Sequence, residues 1–257
     1  MPEMVVKSIP ESSASSRVRG AAPEGITDPQ SAARAVREMF TAIAPTYDLL
    51  NHLLSANVDK LWWRRTARIF KPVLLRPNAR ALDLCCGTGD MAFALLRQGP
   101  QAQITGADFS HAMLKLALRK NATKLKWIEA DALQLPFPDR SFDLVTSAFG
   151  FRNLADYDAG LREIRRVLKP EGEVGILECS EPEGILAKPY QFYFHRVLPR
   201  IGGLISRTRA YSYLPASVQR FPAAPEMLDR MKAAGFQNTS WTPYSFGIAG
   251  LFRGTQS

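Results

Sequence analysis

Short apolar runs alternate along the chain with segments in which apolar residues recur at helical spacing. The apolar runs that predict strands are the one that ends at Asp83, then Gln103–Ala107, Leu125–Glu129, Phe142–Ser147 and Glu173–Glu178. Two more strand-like runs lie within Phe236–Arg253. Each run is short enough for a strand and is bounded by polar or turn residues.

Helical patterns fill the intervals between these strands. Apolar residues within Met113–Leu118 and Leu161–Leu168 recur three or four positions apart, which predicts helices. Lys169–Gly172 contains Pro and Gly and is predicted to end the second of them, because proline cannot continue a helix. Strands that alternate with helices predict an α/β protein with a doubly wound, mostly parallel sheet, here of seven strands.

Three segments stand outside this alternation. Residues 1–30 are rich in Ser, Ala and Pro with scattered charges, which predicts a disordered tail ahead of a single domain over residues 31–257. Residues 31–71 are predicted to be helical and to cap the sheet edge. Residues 184–221, after the fifth strand, interleave aromatic and basic side chains. Such an insertion suits an acidic membrane surface or an aromatic substrate, or else an irregular region that buries its own aromatic rings.

The segment Ala81–Asp90, Ala-Leu-Asp-Leu-Cys-Cys-Gly-Thr-Gly-Asp, indicates a nucleotide site. Gly87 and Gly89 let the backbone turn sharply and approach a ligand. A strand, a glycine turn and a helix form such a site at the carboxyl edge of a parallel sheet. Asp83 and Asp90 would repel a pyrophosphate, whereas they suit the sulfonium and ammonium groups of S-adenosylmethionine. An ordinary strand-to-helix turn is the alternative.

Two further acids follow the next predicted strands. Asp108 lies 19 positions after Gly89, where an acid accepts hydrogen bonds from both ribose hydroxyls; the alternative is an N-cap for the helix from His111. Asp131 can accept from an adenine amino group while the backbone N–H of Ala132 reaches a ring nitrogen; the alternative for Asp131 is a role in the turn. Acids at the ends of three successive strands favour the nucleoside interpretation.

The amino-acid composition limits the possible binding partners and the cellular compartment only in part. The 33 Lys and Arg residues against 24 Asp and Glu give a net charge of +9, which attracts nucleic acid, anionic membranes or acidic ligands alike. Cys85, Cys86 and Cys179 offer neither metal-ligand spacing nor a disulfide framework, so no metal site and a reducing cytoplasm are expected. No apolar run approaches the roughly 18 residues of a membrane span, and no signal peptide is visible.

Longer segments resemble one known family. They are Met39–Asn51 (Met-Phe-Thr-Ala-Ile-Ala-Pro-Thr-Tyr-Asp-Leu-Leu-Asn), Ala148–Leu154, Leu168–Gly172, Val197–Gly202 and Tyr213–Val218. With the glycine turn, they make the chain similar to the class I S-adenosylmethionine-dependent methyltransferases. Within that class it resembles the menaquinone/ubiquinone biosynthesis C-methyltransferases, the UbiE/COQ5 family. The resemblance covers residues 36–254.

The resemblance implies a Rossmann-like methyltransferase fold and contacts to the methyl donor. Carried over by position, these contacts come from Thr88, Asp108 and the pair Asp131 and Ala132. Members of the family often carry Asn at position 131, which can donate as well as accept a hydrogen bond. Some members carry Ser where this chain has Ala148, so a hydroxyl contact is absent there.

The resemblance also implies transfer of the sulfonium methyl to a ring carbon of a polyprenylated quinol, by in-line displacement. A phenol, whose pKa is about 10, becomes a good carbon nucleophile only after losing its proton. Arg152 is the first candidate for a cation that stabilises the phenolate; an ion pair with Asp156 or Asp158 is its alternative role. Tyr47 and Asp48 are expected to close over the donor, with Asp48 as a proton acceptor.

Other functions stay open at this point. A nucleic-acid methyltransferase is disfavoured because Ser147–Asn153 lacks an Asn/Asp-Pro-Pro-aromatic tetrapeptide, so no nucleic-acid partner is expected. A non-catalytic, donor-binding scaffold is a second alternative. The Cys-Cys-Gly-Thr-Gly form favours demethylmenaquinol over the benzoquinol precursor of ubiquinone. We expect a cytoplasmic protein in transient contact with the inner face of the membrane through residues 188–209, and we leave the oligomeric state open, a homo-oligomer included.

Overall fold

An eight-stranded sheet organises the chain in our computed structural model, which describes residues 5–6, 20–21, 26, 28–44, 57–120, 124–180, 182 and 210–257. The strands are β1 Val5–Val6, β2 Arg80–Leu84, β3 Gln103–Asp108, β4 Leu125–Glu129, β5 Phe142–Ala148, β6 Leu168–Cys179, β7 Phe236–Tyr244 and β8 Ala249–Gln256. Their order across the sheet is β1-β4-β3-β2-β5-β6-β8-β7. All neighbours are parallel except β8, which runs antiparallel to β6 and β7.

The predicted α/β class and the seven predicted strands are confirmed. Val5–Val6 adds an eighth strand by pairing in parallel with the end of β4. Ala21 is buried and its amide donates to the carbonyl of Leu154 at 2.7 Å. Of residues 1–30, the structure describes only 5–6, 20–21, 26 and 28–30. For the other residues of this segment the disordered tail stays a prediction.

Helices flank the sheet in the described part of the chain. They are α1 Pro29–Ile43, α2 Val58–Ile69, α3 Lys71–Leu74, α4 Asp90–Gln98, α5 His111–Arg119, α6 Tyr157–Val167, α7 Ala210–Arg220 and α8 Ala224–Ala233. α1 begins where the Asp28 carboxylate accepts from the amide of Ser31 at 2.7 Å. α6 begins where Asp156 accepts from the amide of Ala159 at 2.8 Å. Such caps satisfy amides that the first helical turn leaves without a partner.

Apolar side chains cover both faces of the sheet. Successive residues of a strand point to opposite faces, and in β5 Leu144 and Val145 belong to different buried clusters. The sequence predicts that residues 31–71 cap an edge of the sheet. The described residues 57–74 pack on a face instead, because Phe70 lies so close to Gly175 of β6 that a Cβ there would overlap its ring.

The turn before the main part of β6 differs from its prediction. α6 ends at Val167, and β6 already begins at Leu168. Leu168 pairs with Phe142 and Glu173 pairs with Leu144, so residues 169–172 bulge out of the strand. The left-handed backbone lies at Glu171, with φ of 59°. The helix therefore stops where strand pairing begins, ahead of the proline.

The order of the strands predicts where a ligand binds. β2 lies between β3 and β5. The chain adds β3 and β4 on one side of β2 and then crosses to the other side of β2 to add β5. In open α/β sheets ligands bind outside the carboxyl ends of the strands at such a switch point. The loops after β2 and β5 are therefore the place to look for a site.

Trp127 of β4 makes Gly106 of β3 a sensitive position. A Cβ on Gly106 would overlap the Trp127 ring and would lie 3.0 Å from the sulfur of Cys86. We expect Gly106→Ala to lower the free energy of unfolding, measured by urea denaturation, by about 1–3 kcal/mol, as over-packed cores do. The same change is expected to cost much less in a Trp127→Leu background, and an equal loss in both would contradict the clash.

Candidate active site at the carboxyl edge of the sheet

The loops after β2 and β5 meet at the carboxyl edge of the sheet. Gly150, just past β5, lies so close to Cys85, just past β2, that a Cβ on the glycine would overlap that of the cysteine. The amide of Cys86 donates to the carbonyl of Ala107 in β3 at 3.0 Å. The ends of these three strands therefore form one rim, to which β4 and β6 contribute on either side.

The glycine turn has the strained backbone that its sequence predicts. Cys85, Gly87 and Gly89 have φ values of 53°, 53° and 88°, in the left-handed region that glycine tolerates best. Gly89 is also the N-cap residue of α4, where it supplies no side chain to the first amides of the helix. A Cβ at Gly89 would overlap the ring of Trp127. Two features therefore require glycine at position 89. The Trp127 ring leaves no room for a Cβ, and the left-handed N-cap position favours glycine.

Asp108 ends β3 and supports the glycine turn. Its Oδ2 accepts from the amide of Gly87 and its Oδ1 from the amide of Ser110, both at 2.8 Å. Burial raises the pKa of this carboxyl to about 6, although the two amides oppose the shift. Ser110, not Asp108, is the N-cap residue of α5. Each carboxylate oxygen has a second lone pair, so acceptance from ribose hydroxyls is compatible with this geometry.

Asp83 lies in β2, just before the glycine turn, and is fully buried. The hydroxyl of Thr146 donates to its Oδ1 at 3.1 Å. Its Oδ2 has no hydrogen-bond partner among the described residues. Burial raises the pKa of this carboxyl to about 8; Thr146 and the backbone amide of Ala92 oppose the shift, and the charges of Asp108 and Asp90 add to it. A buried oxygen without a partner is one whose negative charge a nearby cation would stabilise.

Thr88 and Asp90, at the start of α4, share the ammonium group of Lys120. The Nζ atom of Lys120 donates to Thr88 Oγ1 and to Asp90 Oδ1, each at 3.0 Å. The Thr88 hydroxyl in turn donates to Asp90 Oδ2 at 3.3 Å. The hydroxyl predicted to contact the donor is thus engaged within the protein. Lys120 is distant in sequence, and no local motif singles it out.

Asp131 and Ala132 follow β4 on the same rim. Asp131 Oδ1 accepts from the amide of Leu133 at 2.8 Å, and its carbonyl accepts from the amide of Gln134 at 3.1 Å. The turn role considered for Asp131 is therefore present. The carboxylate has further lone pairs, so its contact with an adenine amino group stays a prediction, as does that of the buried Ala132.

Arg152 lies in a single 3-10 turn after β5 and is buried. Its Nη1 donates to Glu178 Oε2 at 2.8 Å, and its backbone amide donates to Glu178 Oε1 at 3.0 Å. The guanidinium also donates to the carbonyl of Phe149 and, from Nε at 3.3 Å, to Ser217 of α7. Arg152 is 6% exposed and Glu178 is 1% exposed. The two side chains form a buried ion pair.

The structure corrects the ion-pair partner considered for Arg152. Asp156 caps α6, and Asp158 pairs with Arg230 at 2.9 Å. Glu178 holds the guanidinium instead and balances its charge. Glu178 is the next-to-last residue of β6, so the rule that singles out acids near the ends of strands could have found it. The role of Arg152 toward a phenolate stays a prediction.

Phe149 precedes Gly150, which contacts Cys85 beside the glycine turn. Its φ is 58°, a left-handed conformation that is unusual for a bulky residue. Its amide donates to the carbonyl of Leu177 at 2.8 Å, and its own carbonyl accepts from Arg152. Its ring centroid lies 5.8 Å from that of Trp62 and 6.4 Å from that of Trp63. Rings so arranged suit an aromatic ligand.

Other predicted features are placed as follows. Tyr47, Asp48 and the basic segment 188–209 lie outside the described residues. Within the described part of the chain, no three His, Cys, Asp or Glu side chains cluster as metal ligands would. None of the helices described combines the length and the apolar character that crossing a bilayer requires.

The chemistry of the rim fits S-adenosylmethionine. Asp83 offers a buried carboxylate oxygen without a partner, which suits a cationic ligand. Asp108 keeps lone pairs for hydroxyl groups. The backbone at Gly87 and Gly89 has no Cβ to hold a ligand away. The predicted cofactor and the residues present therefore agree.

Comparison with known proteins agrees with the resemblance. The family model described as the ubiE/COQ5 methyltransferase family matches residues 28–256. A demethylmenaquinone methyltransferase of Deinococcus radiodurans is 46% identical over 234 residues, which are 89% of this chain and 95% of that protein. One from Thermus thermophilus is 48% identical over 84% of this chain and 99% of its own. A Geotalea daltonii protein named ubiquinone/menaquinone biosynthesis C-methyltransferase UbiE is 44% identical over 85% and 95%.

Solved structures share the fold. The [4+2]-cyclase SpnF matches with a TM-score of 0.63 and 19% identity, over 87% of this chain and 96% of that one. An S-adenosylmethionine-dependent methyltransferase of Thermotoga maritima matches with a TM-score of 0.56 and 21% identity, over 86% and 99%. At these identities the likeness concerns the fold alone.

The raised pKa of Asp83 predicts a pH-dependent stability. Aspartate titrates at about 3.9 in an unfolded chain and at about 8 in this site. The folded state therefore holds the proton more tightly, and this stabilisation is lost as the pH rises from about 4 to about 8. By urea denaturation at about pH 5 and about pH 8.5, we expect Asp83→Asn to gain stability relative to the wild type at the higher pH. Asp229→Asn, at an exposed carboxylate, is the control; an equal gain there would contradict the assignment.

The buried ion pair predicts a large loss of stability when one partner is removed. We expect Arg152→Ala and Glu178→Ala each to lower the free energy of unfolding by about 3–5 kcal/mol, because a buried charge is left unpaired. The double variant Arg152→Met/Glu178→Met is expected to recover much of that loss. Arg230→Ala, at a half-exposed pair, should cost about 0–1 kcal/mol. A loss for Arg152→Ala as small as that for Arg230→Ala would contradict a structural role.

Proposed function

Because the chain belongs to the ubiE/COQ5 methyltransferase family, we propose that it methylates a ring carbon of a polyprenylated quinol, with S-adenosylmethionine as the methyl donor. The proposed acceptor is demethylmenaquinol, which becomes menaquinol. The observation that carries this proposal is 46% and 48% identity to two demethylmenaquinone methyltransferases along nearly their whole length. The Geotalea relative, whose name includes ubiquinone, makes the benzoquinol precursor of ubiquinone the second candidate acceptor.

The proposed donor site is the rim at the ends of β2, β3 and β4. S-adenosylmethionine supplies an electrophilic methyl group there when it is bound. Asp83 lowers the energy of a cationic ligand above it, Asp108 accepts from ribose hydroxyls, and the Asp131 loop borders the adenine. The full set of proposed donor-binding residues is Asp83, Gly87, Thr88, Gly89, Asp108, Asp131 and Ala132.

The acceptor ring must lie in line with the methyl group, so the protein acts mainly by orientation. We assign Phe149, with Trp62 and Trp63, to stacking on the aromatic acceptor, because these rings pack together at the loop after β5, where Gly150 contacts Cys85 beside the glycine turn. Arg152 holds the carbonyl of Phe149 and so fixes the position of that ring. Glu178 balances the charge of the guanidinium. The main role proposed for Arg152 is therefore to position Phe149.

The acceptor also has to lose a proton. A phenol with a pKa of about 10 attacks through carbon efficiently only as the phenolate. Tyr47 and Asp48 are proposed to close over the donor, with Asp48 as the acceptor of that proton; both lie outside the described residues. Arg152 stays a candidate for stabilising the phenolate. Because Glu178 already balances its positive charge, we expect that stabilisation to be weaker than that of an unpaired arginine.

The substrate also bears on where the protein works. A polyprenylated quinol partitions into the bilayer, so we propose a cytoplasmic enzyme in transient contact with the membrane. The segment 188–209, to which the sequence assigns that contact, lies outside the described residues. The oligomeric state stays open.

Methyl transfer from labelled S-adenosylmethionine to demethylmenaquinol and to the demethyl precursor of ubiquinone, measured side by side, tests the proposal. We expect product from demethylmenaquinol at a higher kcat/KM. Asp108→Ala is expected to weaken donor binding by about tenfold or more, since it removes hydrogen bonds to a charged group. Leu75→Ser, at an exposed position far from the rim, is the matched control. It should change neither kcat/KM nor the affinity for the donor.

Each result of the assay has a distinct meaning. Preference for the benzoquinol would keep the reaction and change the acceptor. Donor binding without product from either quinol would contradict the proposed reaction and favour a donor-binding scaffold. Unchanged donor binding in Asp108→Ala would instead contradict the proposed donor site.

A further inference from the structure

Two large apolar side chains are exposed near the carboxyl edge of the sheet. Phe246 is 81% exposed and Leu61 is 59% exposed. Phe246 lies in the tight turn Ser245–Gly247 between β7 and β8, and its φ is 59°. A phenylalanine as exposed as this contributes little to packing within the described part of the chain. Its position favours a role in contact with something outside the chain.

The two side chains lie on adjoining parts of the surface. The indole N–H of Trp62 donates to Ser245 Oγ at 2.9 Å, which fixes the start of α2 to the β7–β8 turn. The guanidinium of Arg65 lies 4.2 Å from the centre of the Tyr244 ring. Leu61 is four positions before Arg65 and therefore shares its side of the helix. That side of α2 faces the turn.

The same helix has a basic outer surface. Its one acid, Asp59, is only 4% exposed. Its other charged residues are all basic and all exposed. We name the basic–apolar face after its members, which are Lys60, Leu61, Arg64, Arg65, Arg68 and Phe246.

The basic–apolar face borders the candidate active site. Trp62 and Trp63 of α2 pack on Phe149, and the residue after Phe149, Gly150, contacts Cys85 beside the glycine turn. Ser180, just past β6, donates its hydroxyl to the carbonyl of Gly247 at 2.6 Å. The exposed turn is thus fixed to the carboxyl end of the sheet, the edge that carries the candidate active site.

We propose that the basic–apolar face docks on an anionic lipid bilayer. Phe246 and Leu61 enter the headgroup region, and the surrounding Lys and Arg side chains bind lipid phosphates. The inference rests on the proposed function, because a prenylated quinol held in the bilayer has to reach the rim. Exposed apolar side chains within a basic helix surface complement a surface that is both apolar and anionic. The docking places the aromatic rings of the site toward the membrane.

Vesicle co-sedimentation of the full chain tests the docking surface, with quinol-free vesicles of phosphatidylglycerol and phosphatidylcholine. We expect Leu61→Ser/Phe246→Ser to lower the partition coefficient by about tenfold or more, because two apolar side chains no longer enter the bilayer. Arg64→Gln/Arg68→Gln is expected to lower it by about tenfold. Binding of the wild type should weaken as salt is raised.

Matched controls lie at the opposite edge of the sheet. Leu75 is 58% exposed and precedes the amino end of β2, so Leu75→Ser removes an equally exposed leucine. Lys124→Gln/Lys126→Gln removes two exposed charges at the amino end of β4. Both controls are expected to bind vesicles like the wild type.

Activity measurements separate this proposal from the proposed function. With a water-soluble, short-chain quinol acceptor, Leu61→Ser/Phe246→Ser is expected to turn over like the wild type. With the long-chain acceptor in vesicles, its kcat/KM should fall in parallel with binding. If the wild type methylates neither acceptor, the proposed function fails, while vesicle binding still decides the docking surface.

Two results would overturn the docking surface. One is equal vesicle binding by the wild type and by Leu61→Ser/Phe246→Ser. The other is a wild type that does not bind vesicles but forms a dimer, seen by analytical ultracentrifugation, that Leu61→Ser/Phe246→Ser disrupts. The second result would assign the face to contact between two copies of the chain.

Discussion

The buried ion pair between Arg152 and Glu178 joins the parts of the molecule that have to meet at the site. Glu178 lies near the end of β6 and Arg152 follows β5. Ser217 of α7 and the carbonyl of Phe149 accept from the same guanidinium that pairs with Glu178. Removing two charges from water costs several kcal/mol per ion, so the pair stabilises the fold only because its polar atoms find partners. Its consequence is local: Phe149 is held in a left-handed conformation, with its ring against Trp62 and Trp63.

Asp83 at the rim differs from this ion pair, because its buried carboxyl group is not fully partnered. Here a carboxylate is fully buried with one oxygen unpartnered among the described residues, so burial works against its ionised form. A cationic ligand offsets that cost, whereas an anionic ligand adds to it. Asp108 links this electrostatic feature to the backbone, since its carboxylate also holds the amide of Gly87. Ligand binding and the shape of the turn therefore depend on the same few buried acids.

Features that depend on local signals are predictable from this sequence, whereas partners that are distant along the chain are not. Asp83, Asp108 and Asp131 were predicted to share one edge because the ends of parallel strands meet there, and the structure places all three on the rim. For Arg152, proximity along the sequence suggests Asp156 or Asp158 as an ion-pair partner. Its actual partner Glu178 lies 26 positions away, because proximity along the chain says little about proximity across a sheet.

The sequence by itself determined the α/β class, the glycine turn, the acids that follow the strands and the family. Each of these depends on residue type and spacing within a short stretch, where periodicity and backbone sterics act. Only the tertiary structure decided that Asp83 is buried without a second partner, that Lys120 engages Thr88, and that Leu61 and Phe246 adjoin on one basic surface. Burial, desolvation and surface patches depend on which distant segments pack together, and that is a property of the folded chain as a whole.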